Sequence, residues 1–388
     1  MGLSRILVVN TGTSSLRLRV LGPADDVVAS ADLPALHGLV HGRVAGQDAA
    51  LLASTLRDFG PVDAVGHRIV HGGTRYQGPA VVSGEVRRRL ASLCDLAPLH
   101  QPASLAALDA TSQALPGVPA VACFDTAFHA TIPEAAATFA LPPEWRARWT
   151  LRRYGFHGLS HAYAAARAAQ LLAATVTPDS AAGTAPRART ASRIVTCHLG
   201  AGASLAAVRD GRCVDTTMGF TPLDGLVMGT RSGSVDPGLV LWLQEHAGMS
   251  CEEVAATLES RSGLMGLAGT ADMREVLSRA AAGASRAALA RDVYLHRLRA
   301  GIAAMAAALD GLDALVFTAG VGEHSPEIRS RAAGGLGFLG IRLDEAANAG
   351  APGAGDHEIG APGAPARAFV IAAREDKQIA AEVRAALA

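Results

Sequence analysis

Residues 8–20, VVNTGTSSLRLRV, open on an apolar run that reaches Asn10 and turn through Gly12 with four hydroxyl side chains around it. They leave as alternating Leu and Arg, so the pattern predicts two strands joined by a tight turn. Such a turn is either a plain hairpin or a cradle for phosphate. Further apolar strands are predicted at 5–10, 16–21, 63–70 and 119–124, and helical patterns at 84–94 and 104–114. Strands alternating with helices predict an α/β architecture. Two stretches lack hydrophobic periodicity and are rich in Ala, Gly, Pro and Ser, namely 175–192 and 346–368. They are expected to be surface loops or insertions outside the chemistry.

The pattern recurs half a chain later. CHLGAGASLAAV (197–208) aligns with the first turn at an offset of 188, placing Gly200 on Gly12, His198 on Asn10 and Val208 on Val20. Two similar hairpins predict a duplicated α/β domain with a cleft between the halves. VFTAGVGEHSPEIR (316–329) adds a third Gly-rich turn after an apolar strand, leading into a helix.

With 388 residues, 49% of them hydrophobic, the chain can build two or more domains. Lys+Arg and Asp+Glu both number 35, which argues against a nucleic-acid coat or a polybasic membrane anchor. No apolar run approaches the roughly 18 residues of a membrane span. Five cysteines without C-x-x-C spacing read as reduced thiols in a cytoplasmic protein. Lys377 is the only lysine. A P-loop and the strand lysine of a protein kinase are therefore both excluded. Phosphate chemistry here rests on Arg, backbone N–H groups, hydroxyls and metal, and the Arg fork suits it.

Several stretches carry candidate chemistry. DTTMGFTPLDGLVMGTRSGSVDPG (215–238) lacks periodicity and sets Arg231 between Thr230 and Ser232, either an anion clamp or a solvated connector. GHRIVHGG puts Arg68 at a strand end, facing a cleft or solvent. Asp125 in CFDTAFHATIP follows an apolar strand, where it could hold Mg²⁺ or cap a turn. In RRYGFHGLSHAY, His157 between Phe156 and Gly158 is better placed to touch a ligand than His161. A serine-hydrolase elbow fails there because Ala162 stands where its last glycine belongs. Glu375 and Asp376, in REDKQIAAEV after a strand, could cap a helix or ligate metal.

Taken in order, VNTGTSSL, HRIVHGG, FDTAFHATIP, RRYGFHGLSH, HLGAGAS, MGFTPLDGLVMGTRSG and TAGVGEHSPEIR resemble the acetate/propionate kinase family from about residue 5 to residue 383. The resemblance implies an α/β fold of two duplicated actin, Hsp70 and sugar-kinase-like (ribonuclease H-like) domains closing over a nucleotide cleft. It implies residues 1–128, completed by 377–388, as the acyl and phosphoryl side. Residues 129–376 would form the nucleotide-binding and dimerisation domain. The implied activity is reversible, Mg²⁺-dependent (or Mn²⁺-dependent) transfer of the ATP γ-phosphoryl group to acetate, giving acetyl phosphate and ADP. Propionate is the alternative acceptor. A non-catalytic nucleotide switch of the Hsp70 or actin type is the reading from another class.

By the same resemblance Asn10 and Glu375 hold the metal, and Arg68, Asp125, His157 and Arg231 are catalytic. His157 and Arg231 stabilise the transition state, while Arg68 and Phe156 meet the substrate. His198, Gly200, Gly202, Asp272, Met273, Arg274, Gly320, Val321, Gly322, Glu323 and His324 bind nucleotide. A cytoplasmic homodimer with no nucleic-acid or membrane partner is implied as well. The chain departs from the family pattern at Gln101, Ala201, His324 and Arg374.

Overall fold

The computed structural model describes residues 3–12, 15–34, 39–40, 43–44, 46–98, 100–174, 192–350 and 355–388. The strands considered in the first half are β1 (Ile6–Thr11), β2 (Ser15–Leu21), β3 (Val27–Pro34), β4 (Ala64–Ile69), β5 (Ala80–Val81) and β6 (Ala120–Phe124). In the second half they are β7 (Arg193–Leu199), β8 (Ala203–Arg209), β9 (Arg212–Thr216), β10 (Ala314–Thr318), β11 (His357–Glu358) and β12 (Arg367–Val370). The helices that matter below are α1 (Gly46–Phe59), α2 (Gly84–Ala91), α3 (Gln101–Ala114), α4 (Gly158–Ala174) and α5 (Met273–Ala281). They continue with α6 (Ser285–Ala308), α7 (Ala319–His324), α8 (Pro326–Gly334), α9 (Glu345–Ala349) and α10 (Glu375–Leu387).

The chain divides into two compact units. One comprises Met1–Ala130, Phe156–Tyr163 and Arg374–Ala388, and the other Thr131–Gly155 and Ala164–Ala373. Each holds a six-stranded sheet. The strand orders are β3-β2-β1-β4-β6-β5 and β9-β8-β7-β10-β12-β11. Adding six to every label of the first yields the second, so the duplication extends from one hairpin to the whole sheet.

Burial explains the two patterns of the first hairpin. Strand β1 is apolar at every position from Ile6 to Val9 because both faces are covered. Ile6 and Val8 pack on Ile379, Ala380 and Val383 of α10, while Leu7 and Val9 pack on Leu52 and Leu56 of α1 and Ala107 of α3. Strand β2 turns Leu16, Leu18 and Val20 to the same α1 and α3 side. Its other face is less covered, and there Arg19 meets Asp32 at 2.6 Å. That is the period-two alternation of a half-buried strand.

Four expectations need correction. The offset of 188 does not survive the turn. Leu7 pairs with Val20, whereas the equivalent Val195 pairs with Ala207, because one residue fewer separates Leu199 from Ala203 than Thr11 from Leu16. The helix placed at 84–94 ends at Ala91, where the Ser92 hydroxyl donates to the Arg89 carbonyl, and a 3₁₀ turn follows at Cys94–Leu96. The Gly-rich turn at 319–324 is itself the helix α7. The stretch 346–368 includes most of α9, all of β11 and the start of β12, and it buries Asn348, Ile359 and Ala366. The other low-complexity stretch, 175–192, lies outside the described residues except for Ser192.

Candidate active site

In the first unit, parallel strands β1, β4 and β6 end side by side, and each delivers one polar side chain at or just past its carboxyl end. Asn10 comes from β1, Arg68 from β4 and Asp125 from the residue after β6. Glu375 opens α10, which lies against the same strands. The four side chains form one hydrogen-bonded set. Arg68 forks onto Asp125, with Nε donating to Oδ1 at 3.0 Å and Nη2 to Oδ2 at 2.6 Å. Its Nη1 donates to Asn10 Oδ1 at 3.3 Å and reaches the Thr11 carbonyl at 3.5 Å. Asn10 Nδ2 donates to Glu375 Oε2 at 2.6 Å, and the same oxygen lies 4.0 Å from Arg68 Nε.

Electrostatics follow from this packing. Asp125 is 1% exposed, and burial pushes its carboxyl upward against the pull of Arg68; Glu375 adds to the upward push. Burial acts to lower Arg68, but the charges of Asp125 and Glu375 outweigh it and hold the guanidinium more firmly protonated than usual. Asp125 also shapes the chain beside it. Its carboxylate accepts the His157 backbone N–H, and its carbonyl accepts Gly158 N–H at 2.9 Å. His157 sits at φ +57°, a left-handed conformation that a non-glycine residue adopts at a cost, and it is half-buried. A Cβ on Gly158 would collide with the Asp125 carbonyl oxygen. Phe156 is buried edge-on to His71, ring centres 5.6 Å apart.

Sequence reasoning missed the framework around this set. Gln101 is fully buried, its amide oxygen accepting the His71 N–H at 3.1 Å and its Nε2 donating to the His71 carbonyl at 3.0 Å. The Thr126 hydroxyl accepts Gly72 N–H at 3.0 Å. These bonds fix the chain just beyond Arg68, and no local pattern announces them. Arg374 forks onto its own neighbour Asp376, Nη2 to Oδ2 at 2.8 Å. That leaves Glu375 as the carboxylate on the Asn10 and Arg68 side.

The second unit gathers the other motifs. His198, one residue before the end of β7, lies beside Thr318, the last residue of β10, and Gly200 N–H donates to the Gly202 carbonyl at 2.9 Å. Helix α7, carrying Gly320, Val321, Gly322, Glu323 and His324, lies on β7, where a Cβ on Gly322 would stand in ordinary contact 3.7 Å from the Cys197 carbonyl oxygen. From 217 to 236 the chain has neither helix nor strand, yet it is pinned. Arg153 Nη1 donates to the carbonyls of Thr217 and Met218 at 3.1 Å each, and Arg231 Nη1 donates to the Pro222 carbonyl at 2.9 Å. Gly229, which sequence reasoning did not single out, joins three motifs. Its N–H donates to the Ala201 carbonyl at 3.0 Å, and a Cβ there would lie 3.4 Å from Ala271. Asp272 caps α5 through Arg274 N–H at 2.8 Å and holds the Arg274 side chain, which is 91% exposed; Met273 is buried.

As chemistry, the first unit offers an oriented guanidinium, two carboxylates and a carboxamide. No group of three or more His, Cys, Asp or Glu able to hold a metal occurs among the described residues. Glu375 and Asn10 are nonetheless bonded neighbours that each carry a hard oxygen donor, with the Asn10 Nδ2 turned to Glu375 and its Oδ1 to Arg68 Nη1. That pair fits Mg²⁺, which keeps several of its waters and takes only one or two protein oxygens.

The chain matches the model of the Acetokinase family over residues 5–381. The acetate kinase of Nostoc punctiforme is 50% identical over 320 residues, 82% of this chain and 75% of that protein. The acetate kinase of Deinococcus radiodurans is 43% identical over 397 residues, 97% and 96% of the two chains. Among solved structures, the acetate kinase of Porphyromonas gingivalis superposes with a TM-score of 0.85 at 33% identity, covering 99% of this chain and all of that one. A propionate kinase from Francisella tularensis superposes with a TM-score of 0.85 at 32% identity, over 98% and 99%.

Proposed function

The chain belongs to the acetokinase family and shares its duplicated α/β fold, and from that premise we propose that it is an acetate kinase, moving the γ-phosphoryl group of ATP to acetate and back. The observation that carries the assignment to residues is the bonded set of Arg68, Asp125, Asn10 and Glu375.

The acceptor is already a nucleophile, since acetate is ionised at neutral pH. No general base is needed, and none of these side chains is asked to take a proton. The demand is in-line placement and compensation of charge on the equatorial phosphoryl oxygens. Asp125 holds two faces of the Arg68 fork, so the guanidinium is aimed before substrate arrives and costs little reorganisation. Arg68 and Phe156 are assigned to the acetate. His157, with Arg231 of the glycine-rich loop, donates to the phosphoryl oxygens. The Asp125 bonds to the His157 N–H and the Gly158 N–H set where the imidazole starts. Glu375 and Asn10 would hold Mg²⁺ or Mn²⁺, which when bound neutralises phosphate charge. His198, Gly200, Gly202, Asp272, Met273, Arg274 and Gly320 to His324 are assigned to ATP and ADP.

We place the acyl and phosphoryl side in residues 1–128 with 377–388, joined by Phe156, His157 and Glu375, and the nucleotide side and dimer contact in the rest of 129–376. A cytoplasmic homodimer without nucleic-acid or membrane partners completes the proposal. No helix among the described residues is long and apolar enough to cross a membrane. The likeness to a propionate kinase at the same TM-score keeps propionate as a second acceptor. Purified protein with Mg²⁺-ATP and acetate, propionate or butyrate, trapped as acyl hydroxamates, tests both readings. Turnover should be fastest with acetate. A faster reaction with propionate moves the assignment to that acid, and no ADP release with any of the three overturns the kinase.

A further inference from the structure

Arg329, in α8, is fully buried, and every hydrogen bond it makes goes to a neutral oxygen. Nη1 donates to the carbonyls of Gly322 at 2.9 Å and Glu323 at 2.7 Å. Nε donates to Asn348 Oδ1 and Nη2 to the Asn348 carbonyl, both at 2.8 Å. Burial lowers the guanidinium to about 10, so it stays charged at neutral pH without a carboxylate of its own. Leaving a cation in that state is costly, and a merely space-filling residue would avoid it. The four acceptors explain what it holds. Two are carbonyls near the end of α7, and two belong to the buried Asn348 of α9, whose Nδ2 donates in turn to the Pro326 carbonyl at 3.1 Å.

Helix α7 needs such a hold. It has six residues, too few to be stable alone. Its N-cap, Thr318, makes no capping bond from its side chain, and the next residue, Ala319, sits at φ +64°. The far end is therefore where its position is set. Glu323 adds a second tie, Oε1 accepting Ala373 N–H at 2.9 Å.

We infer that Arg329 is a positioning residue for the nucleotide: by binding the Gly322 and Glu323 carbonyls and anchoring them to Asn348, it holds α7 against β7 in the place where ATP and ADP are recognised. The inference rests on the assignment of residues 320–324 to the nucleotide. Arg329 itself is fully buried and acts through the α7 carbonyls. Its loss shifts α7 without touching the Arg68 set, so it separates the two substrates.

The test compares wild type with Arg329→Met, Arg329→Lys and Asn348→Ala, measuring ADP binding by calorimetry, steady-state constants for ATP and acetate, and melting temperature. Arg329→Met should raise the ATP KM and the ADP Kd about tenfold or more while the acetate KM stays within about twofold. Arg329→Lys should recover part of that loss, because an ammonium reaches some of the carbonyls but cannot fork. Asn348→Ala, which keeps the backbone acceptor, should show the same split to a smaller degree, and it decides the matter should Arg329→Met not fold. Folded variants that bind ADP like wild type overturn the inference, and so does an equal rise in both KM values. Wild-type protein that fails to bind ADP at all would instead defeat the nucleotide assignment beneath it.

Discussion

Arg68 gives two of its three nitrogens to Asp125, and a substitution at either residue therefore tests a geometry as well as a charge. Arg68→Ala and Arg231→Ala should each lower turnover several hundredfold or more, about 3–4 kcal/mol of transition-state stabilisation, with the circular dichroism of wild type. Arg68→Lys should remain poor, since a point charge cannot occupy the fork. Acetyl phosphate formation near the wild-type rate in either alanine variant would remove that residue from the site. The carboxylates at the start of α10 separate more finely. Asp376 is already engaged by Arg374, while Glu375 faces Asn10. Glu375→Gln should raise the Mg²⁺ concentration for half-maximal activity about tenfold or more, and Asp376→Asn should leave it unchanged. The reverse order would make Asp376 the ligand. Sequence order could list both acids but not choose, because the choice depends on which one Arg374 claims.

Among elements, α10 decides where Glu375 stands, and Gly66 of β4 decides how closely α10 can lie. A Cβ on Gly66 would overlap the Ile379 methyl and come within 2.7 Å of Val383 Cγ2. Gly66→Ala should therefore lift the helix, costing about 1–3 kcal/mol in stability and lowering turnover with it. Gly78→Ala, where a Cβ meets nothing within 4 Å, is the matched control and should change neither thermal melting nor rate. Unchanged melting in Gly66→Ala would mean that α10 tolerates the added methyl. Strands were the most readable elements here. The apolar runs at 5–10 and 119–124 became β1 and β6 within a residue because each strand buries its own pattern. Helix α7 was not readable. Glycines at 320 and 322 after Ala319 look like a turn, whereas in the fold they form a helix whose Gly322 and Glu323 carbonyls accept from Arg329 of α8.

At the scale of the molecule, acid should attack the first unit. His67, His71 and His129 are all buried there, and burial lowers each to about 4 from an ordinary 6.5. The unfolded chain takes up these protons first, so stability is intact above about pH 6.5 and declines toward pH 4, by as much as about 1.4 kcal/mol per pH unit for each group. Melting temperature followed from pH 7 to 4.5 should show this decline, and His67→Gln should flatten it; a melting temperature constant across that range would show that these imidazoles charge without penalty. The duplication also belongs to this scale. One glycine hairpin and its echo were visible as sequence, and they implied a repeat that the two strand orders carry through all six strands. By itself the sequence determined strands β1, β2, β4 and β6, the near absence of lysine and the family, because these follow from local burial periodicity, from residue types and from motifs that keep their order. Only the tertiary structure decided which side chains meet. Arg68, Asp125, Asn10 and Glu375 lie up to 365 positions apart, and their convergence depends on strand order and on a helix seated over a missing Cβ, neither of which leaves a local signature.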